Sequence, residues 1–212
     1  MIKFYFYPLF NKSRCVWISL LEKNLNFELI EVNLSSNLLE PNFIAIDLFP
    51  QIPVLVDENS TAIESLAIMD YLEAKYPTPA LLPKSPASLA KVKTIEFVNN
   101  NHLSPQISAL FHQKMSLSPG INPIKIDRSK IDLVLQFYEE NLQDNSYFIE
   151  RQFTLADLVA GVSVSSLVLF DFSLDSYPKI QNWLAKLQQR DSFQNTKLSL
   201  EDIEINEIHN FI

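Results

Sequence analysis

Residues 51–72, QIPVLVDENSTAIESLAIMDYL, constrain the fold more than any other stretch of the chain. Pro53 stands directly before a short β-branched run, Val54 to Val56. A turn around Asn59 and a second short strand, Thr61 to Ile63, follow it. Glu64 and Ser65 then occupy the point where a helix must begin. A helix N-terminus presents unpaired N–H groups and a partial positive charge, so polar side chains placed there make a receptor for a carboxylate. A small anionic ligand is the first functional expectation.

The surrounding pattern extends this into a domain. Ile2 to Tyr7 is a run of β-branched and aromatic residues closed by Pro8, which reads as a strand buried on both faces. After the loop Leu9 to Lys12, Ser13 is placed to cap a helix from Arg14 to Asn24, with Val16 and Leu20, and Trp17 and Leu21, spaced i,i+4. Glu28 to Leu34 alternates as a strand does, giving a right-handed βαβ unit with parallel strands. A looser region with Asn37, Asn42 and Pro50 leads to the segment described above, so the order is βαβ-ββα. Prolines 77, 79, 83 and 86 then forbid helix and mark a linker. Beyond it, helical patterns run over 87–112, 128–142, 155–169 and 178–190, with a long loop around Gly120 between Pro119 and Pro123. Thr154 and Asp157 have capping-box spacing, with Asp in place of the usual Glu or Gln, and read as a folding element. The expectation is an α/β domain over 1–80 and an all-α helical bundle domain over 86–212.

Composition removes several classes of function. The 212 residues carry a net charge of −8, which repels nucleic acid and anionic membrane surfaces, so an anionic ligand needs local positive charge. No apolar run reaches the roughly 18 residues that span a bilayer, and MIKFYFYPLF lacks the pattern of a signal peptide, so a cytoplasmic setting is expected. A single cysteine, Cys15, excludes a disulfide framework and a CxxC redox pair. Only two glycines, Gly120 and Gly161, are present, which excludes the glycine-rich loops that cradle nucleotide phosphates. His102, His112 and His209 show no metal-site spacing, and no metal is expected.

Four segments, SRCVWISLLEKNLNFE, PQIPVLVD, ESLAIMDYLEAKYP and FTLADL, make the whole chain resemble the glutathione transferase superfamily. The resemblance implies a thioredoxin-like first domain that binds glutathione as co-substrate, and a helical second domain that lines the pocket for a small hydrophobic electrophile. It implies further that Pro53 is a cis-proline and that the Ile52 main chain pairs with the cysteinyl part of glutathione. Glu64 would take the γ-glutamyl ammonium group and Ser65 the carboxylate, with Gln51 as a further contact. That division fits the chemistry of a helix N-terminus.

A transferase must lower the thiol's pKa, because the thiolate is the nucleophile. Relatives use a Tyr, Ser or Cys at the end of strand one or in the next loop, and here that place falls near Phe10 or Asn11. Phe10 carries no donor. The candidates for the sulfur contact are, in order, Asn11, Ser13, Tyr7 and Cys15, with the capping role weighed against Ser13 and simple packing against Tyr7 and Cys15. Phe10, Asn101, His102 and Phe111, together with Tyr7, are the candidates for an electrophile pocket. The resemblance also implies a two-fold homodimer. It leaves open a glutathione-dependent isomerase or peroxidase, and a non-catalytic binding or scaffold protein favoured by the missing loop serine.

Overall fold

The structure is a computed structural model that describes residues 1–32, 52–114, 126–142, 146–149 and 151–198. The chain divides into two compact units, one of Met1–Ala80 with Thr196–Ile212 and one of Leu81–Asn195.

The first unit is thioredoxin-like. Its elements are β1 (Ile2–Phe6), α1 (Asn11–Glu22), β2 (Phe27–Glu31), β3 (Val54–Asp57), β4 (Ser60–Ile63) and α2 (Ser65–Lys75). The sheet order is β2-β1-β3-β4, with β1 and β2 parallel and the other two pairings antiparallel. The parallel pair requires the crossover that α1 supplies. In β1 the residues Ile2, Phe4 and Phe6 are buried while Lys3 is exposed and Tyr5 half-buried. This corrects the expectation of a strand buried on both faces: the period-two alternation turns the Lys3 charge to solvent. β3 and β4 are joined by Glu58 and Asn59 alone, and Glu58 sits at φ 55. A two-residue hairpin turn needs positive φ there, which this glycine-poor chain fills with glutamate.

Two buried charges fasten the helices of this unit. At the end of α1 the Lys23 ammonium is enclosed by the carbonyls of Tyr76 (2.7 Å) and Pro79 (3.0 Å) and by the Glu73 carboxylate. At the end of β3 the buried Asp57 carboxylate accepts from the hydroxyls of Tyr76 (2.6 Å) and Tyr71 (3.0 Å) and pairs with Lys75 (2.9 Å). Burial works to raise the Asp57 pKa, but the Lys75 ammonium and the two hydroxyls outweigh it and hold the carboxyl below its usual value. Its contribution is therefore present above the unfolded pKa and lost as pH falls through the lower folded value. Asp57→Asn is expected to cost about 2 kcal/mol at pH 7. Urea midpoints of the two proteins should begin to converge as the pH falls below about 4, the ordinary range of an aspartate, and meet only below the lower folded pKa.

The second unit is helical: α3 (Pro86–Val98), a π-helical turn (Asn99–Leu103), α4 (Ser104–Lys114), α5 (Arg128–Leu142), α6 (Leu155–Leu169), α7 (Pro178–Leu187) and α8 (Asp191–Gln194). The continuous helix expected over 87–112 is thus interrupted. In the turn, buried Asn99 accepts a hydrogen bond from the Tyr138 hydroxyl at 3.2 Å. α6 is the centre, buried from Leu155 to Leu167 at every position except Ser165. A helix apolar all round belongs in a core. At Gly161 an added Cβ would press on Leu187 Cδ1 and lie 3.2 Å from the Phe193 ring, so a larger residue there would have to shift both side chains.

The start of α6 is held by polar contacts. The Leu155 N–H, one of the helix's unpaired donors, reaches the Leu81 carbonyl at 3.0 Å. Thr154 and Asp157 form the expected capping box, and buried Asp157 does more. One oxygen accepts the Phe148 N–H (2.9 Å) and Trp183 Nε1 (3.0 Å), and the other accepts the N–H and the hydroxyl of Thr154, both at 2.9 Å. Among the described residues no helix is long and apolar enough to cross a membrane.

Candidate ligand site at one edge of the sheet

The strand register brings the candidate residues of the first unit to one edge. Tyr5 pairs with Val54, so Pro53, one residue before Val54, lies beyond the last pair at the end of β1, where Tyr7 and the loop to α1 begin. Val54 pairs with Ile63, so Glu64 leaves β4 at the same edge. The Ile52–Pro53 peptide bond is cis. Gln51 lies outside the described residues.

Two helix N-termini meet this edge. Phe10 N–H closes a turn onto the Tyr7 carbonyl at 3.1 Å across Pro8 and Leu9, and Phe10 itself is the N-cap of α1. Asn11 is therefore the first helical residue, half-buried and flanking the turn. The helix begins before Ser13, which corrects its expected capping role. The buried Ser13 hydroxyl instead accepts the Tyr7 N–H at 3.2 Å, tying the end of β1 to the first turn of α1. The Tyr7 ring is buried and packs edge-on against Phe10, with centroids 5.0 Å apart. The Phe10 ring is 42% exposed. Cys15 is buried on α1.

At the second N-terminus Glu64 caps α2 at φ 63, ψ 121, and its carbonyl accepts the Ile68 N–H at 2.8 Å. A non-glycine residue in that region is strained by about 1–3 kcal/mol, and such strain is retained at functional sites. The conformation leaves the carboxylate exposed, while Ser65, at the first helical position, is buried. Lys12, on the first turn of α1, places its ammonium 3.6 Å from the Glu64 carboxylate. Nothing in the sequence reading singled out Lys12. Its signal was a cation in a helix's first turn, where the macrodipole disfavours it. The edge thus offers a carboxylate, an ammonium group and two sets of helix N–H donors, a donor set matched to a small zwitterion that also carries an anion.

The other pocket candidates belong to the second unit. Asn101 and His102 are exposed on the π-helical turn, and Phe111 on α4 packs edge-on against Phe170 with centroids 4.6 Å apart. Phe10 belongs to the first unit. Among the described residues no group of three or more His, Cys, Asp or Glu is arranged to hold a metal.

Residues 4–80 match the family model of the glutathione S-transferase N-terminal domain, and residues 122–191 that of the C-terminal domain. Glutathione S-transferase 3 of Zea mays is 31% identical over 206 residues, covering 92% of each chain. The structure of glutathione S-transferase III in apo form superposes with a TM-score of 0.75 at 32% identity, over 92% of this chain and 94% of that one. A delta-class glutathione transferase of Nilaparvata lugens, 23% identical, shares the fold with a TM-score of 0.82 over 100% of this chain and 99% of its own.

Proposed function

Because the chain belongs to the glutathione S-transferase family, whose enzymes use glutathione as co-substrate, we propose that it binds glutathione at this sheet edge and transfers its thiolate to a small electrophile. The observation that carries the reading is the Glu64–Ser65 pair, held at the N-terminus of α2 in a strained conformation beside the cis bond at Pro53. Glu64 holds the γ-glutamyl ammonium group, Ser65 and its N–H hold the adjacent carboxylate, and the Ile52 main chain holds the cysteinyl part. Gln51 is kept as a further contact.

Glutathione supplies a thiol whose pKa near 8.5 leaves it mostly protonated at neutral pH. What this chain adds is the N-terminus of α1 and one donor. Asn11 is the residue assigned to that role: it is the first residue of α1, and an amide at that position can donate to a sulfur anion. Ser13 is the second choice, since its oxygen already accepts the Tyr7 N–H, and Tyr7 the third, since its ring is buried. Phe10, exposed at the N-cap of α1, is kept as an apolar contact for the electrophile. A homodimer in the cytoplasm, acting in detoxification, completes the reading on the strength of the family resemblance. Titrating glutathione into the protein while following thiolate absorbance against pH tests it. Binding with a midpoint about one to two units below the free thiol is the expected result, and absence of binding would refute it.

A further inference from the structure

Lys12 and Glu64 stand on different helices, and their charged groups approach to 3.6 Å with both side chains about half exposed, 44% and 53%. Exposed ion pairs of this kind contribute little to stability and open easily. Each partner also sits in an unusual place. Lys12 is a cation in the first turn of α1, against the helix dipole, and that turn carries no acidic residue to offset it. Glu64 is held at positive φ. Residues that break a local rule without a folding gain mark a functional site.

A γ-glutamyl group ends in an α-amino acid, whose ammonium and carboxylate are attached to one carbon and so lie as close together as the two charges of this pair. We propose that the Lys12–Glu64 pair is opened by that zwitterion, with the ammonium group exchanging onto Glu64 and the α-carboxylate received jointly by Lys12 and the Ser65 end of α2. Lys12 is then a binding residue contributed by α1, and the pair is a preformed image of the charges it accepts. Closed on itself in the free protein, it also keeps a lone ammonium off the surface, so a ligand carrying only one of the two charges gains less than one carrying both. This inference rests on the glutathione reading above and adds to it a selection for ligands with a free α-amino-acid head.

The test is calorimetric titration of wild type, Lys12→Met and Lys12→Arg with glutathione and with its analogue lacking the α-carboxylate, 4-aminobutyryl-cysteinyl-glycine. Lys12→Met is expected to raise the Kd for glutathione about tenfold and to leave that of the analogue within about twofold, while Lys12→Arg keeps most of the affinity. Tighter or unchanged glutathione binding in Lys12→Met would overturn the assignment, because Lys12 would then only compete for Glu64. Equal losses for both ligands would overturn it too, since no contact to the α-carboxylate would be lost. If wild type does not bind glutathione, the glutathione reading falls and this inference with it, an outcome separate from the other two. Melting curves of the variants, expected to match wild type at so exposed a position, exclude misfolding as the cause.

Discussion

Asp157→Ala is expected to destabilise the helical unit by about 4 kcal/mol, a large part of what holds a domain folded. The side chain is buried and accepts four hydrogen bonds, from the N–H groups of Phe148 and Thr154, the Thr154 hydroxyl and Trp183 Nε1. Removing it leaves those donors unsatisfied in the core at once, and each orphan costs its desolvation. The same substitution takes away the Asp157 half of the capping box of the central helix α6, so the loss spreads to everything packed on it. Trp183 touches Asp157 directly and is the natural reporter. Urea unfolding followed by tryptophan fluorescence in a Trp17→Phe background reads this unit alone, and a midpoint within experimental error of the parent would show that the network is not structural. Burial pushes the Asp157 carboxyl up to about 6 although its four donors favour the anion. This group therefore favours folding most below the unfolded aspartate pKa, and its contribution declines as pH rises toward 6, the reverse of Asp57.

Asn11→Ala is expected to return the thiol of bound glutathione to near its free pKa of about 8.5 and to lower kcat/KM at neutral pH by about 10²-fold, with glutathione affinity nearly unchanged. The split matters because Asn11 is at the first position of α1, where alanine is compatible with the helix. Ser13→Ala gives the contrasting result. It removes the acceptor of the Tyr7 N–H, so its main expected effect is a stability loss of about 1–2 kcal/mol. A thiol pKa that shifts in Ser13→Ala or Tyr7→Phe, and not in Asn11→Ala, would move the sulfur contact to that residue.

The frame of the fold was legible because local patterns and tertiary packing agree. The helices over Arg128–Leu142 and Leu155–Leu169 run as their periodicity indicates, and Thr154 and Asp157 announce the start of the second. The strands β3 and β4 and the helix after Glu64 follow from proline, turn and cap. Where legibility failed, side-chain chemistry was decided by distant partners. Ser13 has the composition of an N-cap, but the Tyr7 N–H at the end of β1 claims its oxygen, and the cap falls to Phe10, a residue with no capping preference. Asn99–Leu103 reads as ordinary helix, and its π-helical turn is accompanied by a bond between Asn99 and Tyr138, 39 residues away. The positive φ of Glu64 has no sequence signal at all, since glutamate is not a residue that turns normally select. The Lys12–Glu64 pair joins two helices far apart in sequence and becomes visible only when the strand register closes the edge.

Glu64 also bears on how this protein can evolve. Glycine would adopt φ 63 without strain, so a lineage selected for heat resistance alone would drift toward glycine at this position. Under the proposed function, that path runs directly away from ligand recognition, because glycine brings no carboxylate. Persistence of an acidic residue in so unfavourable a conformation would therefore serve as a record of selection for binding, and its replacement by glycine in a descendant would date the moment when binding ceased to matter.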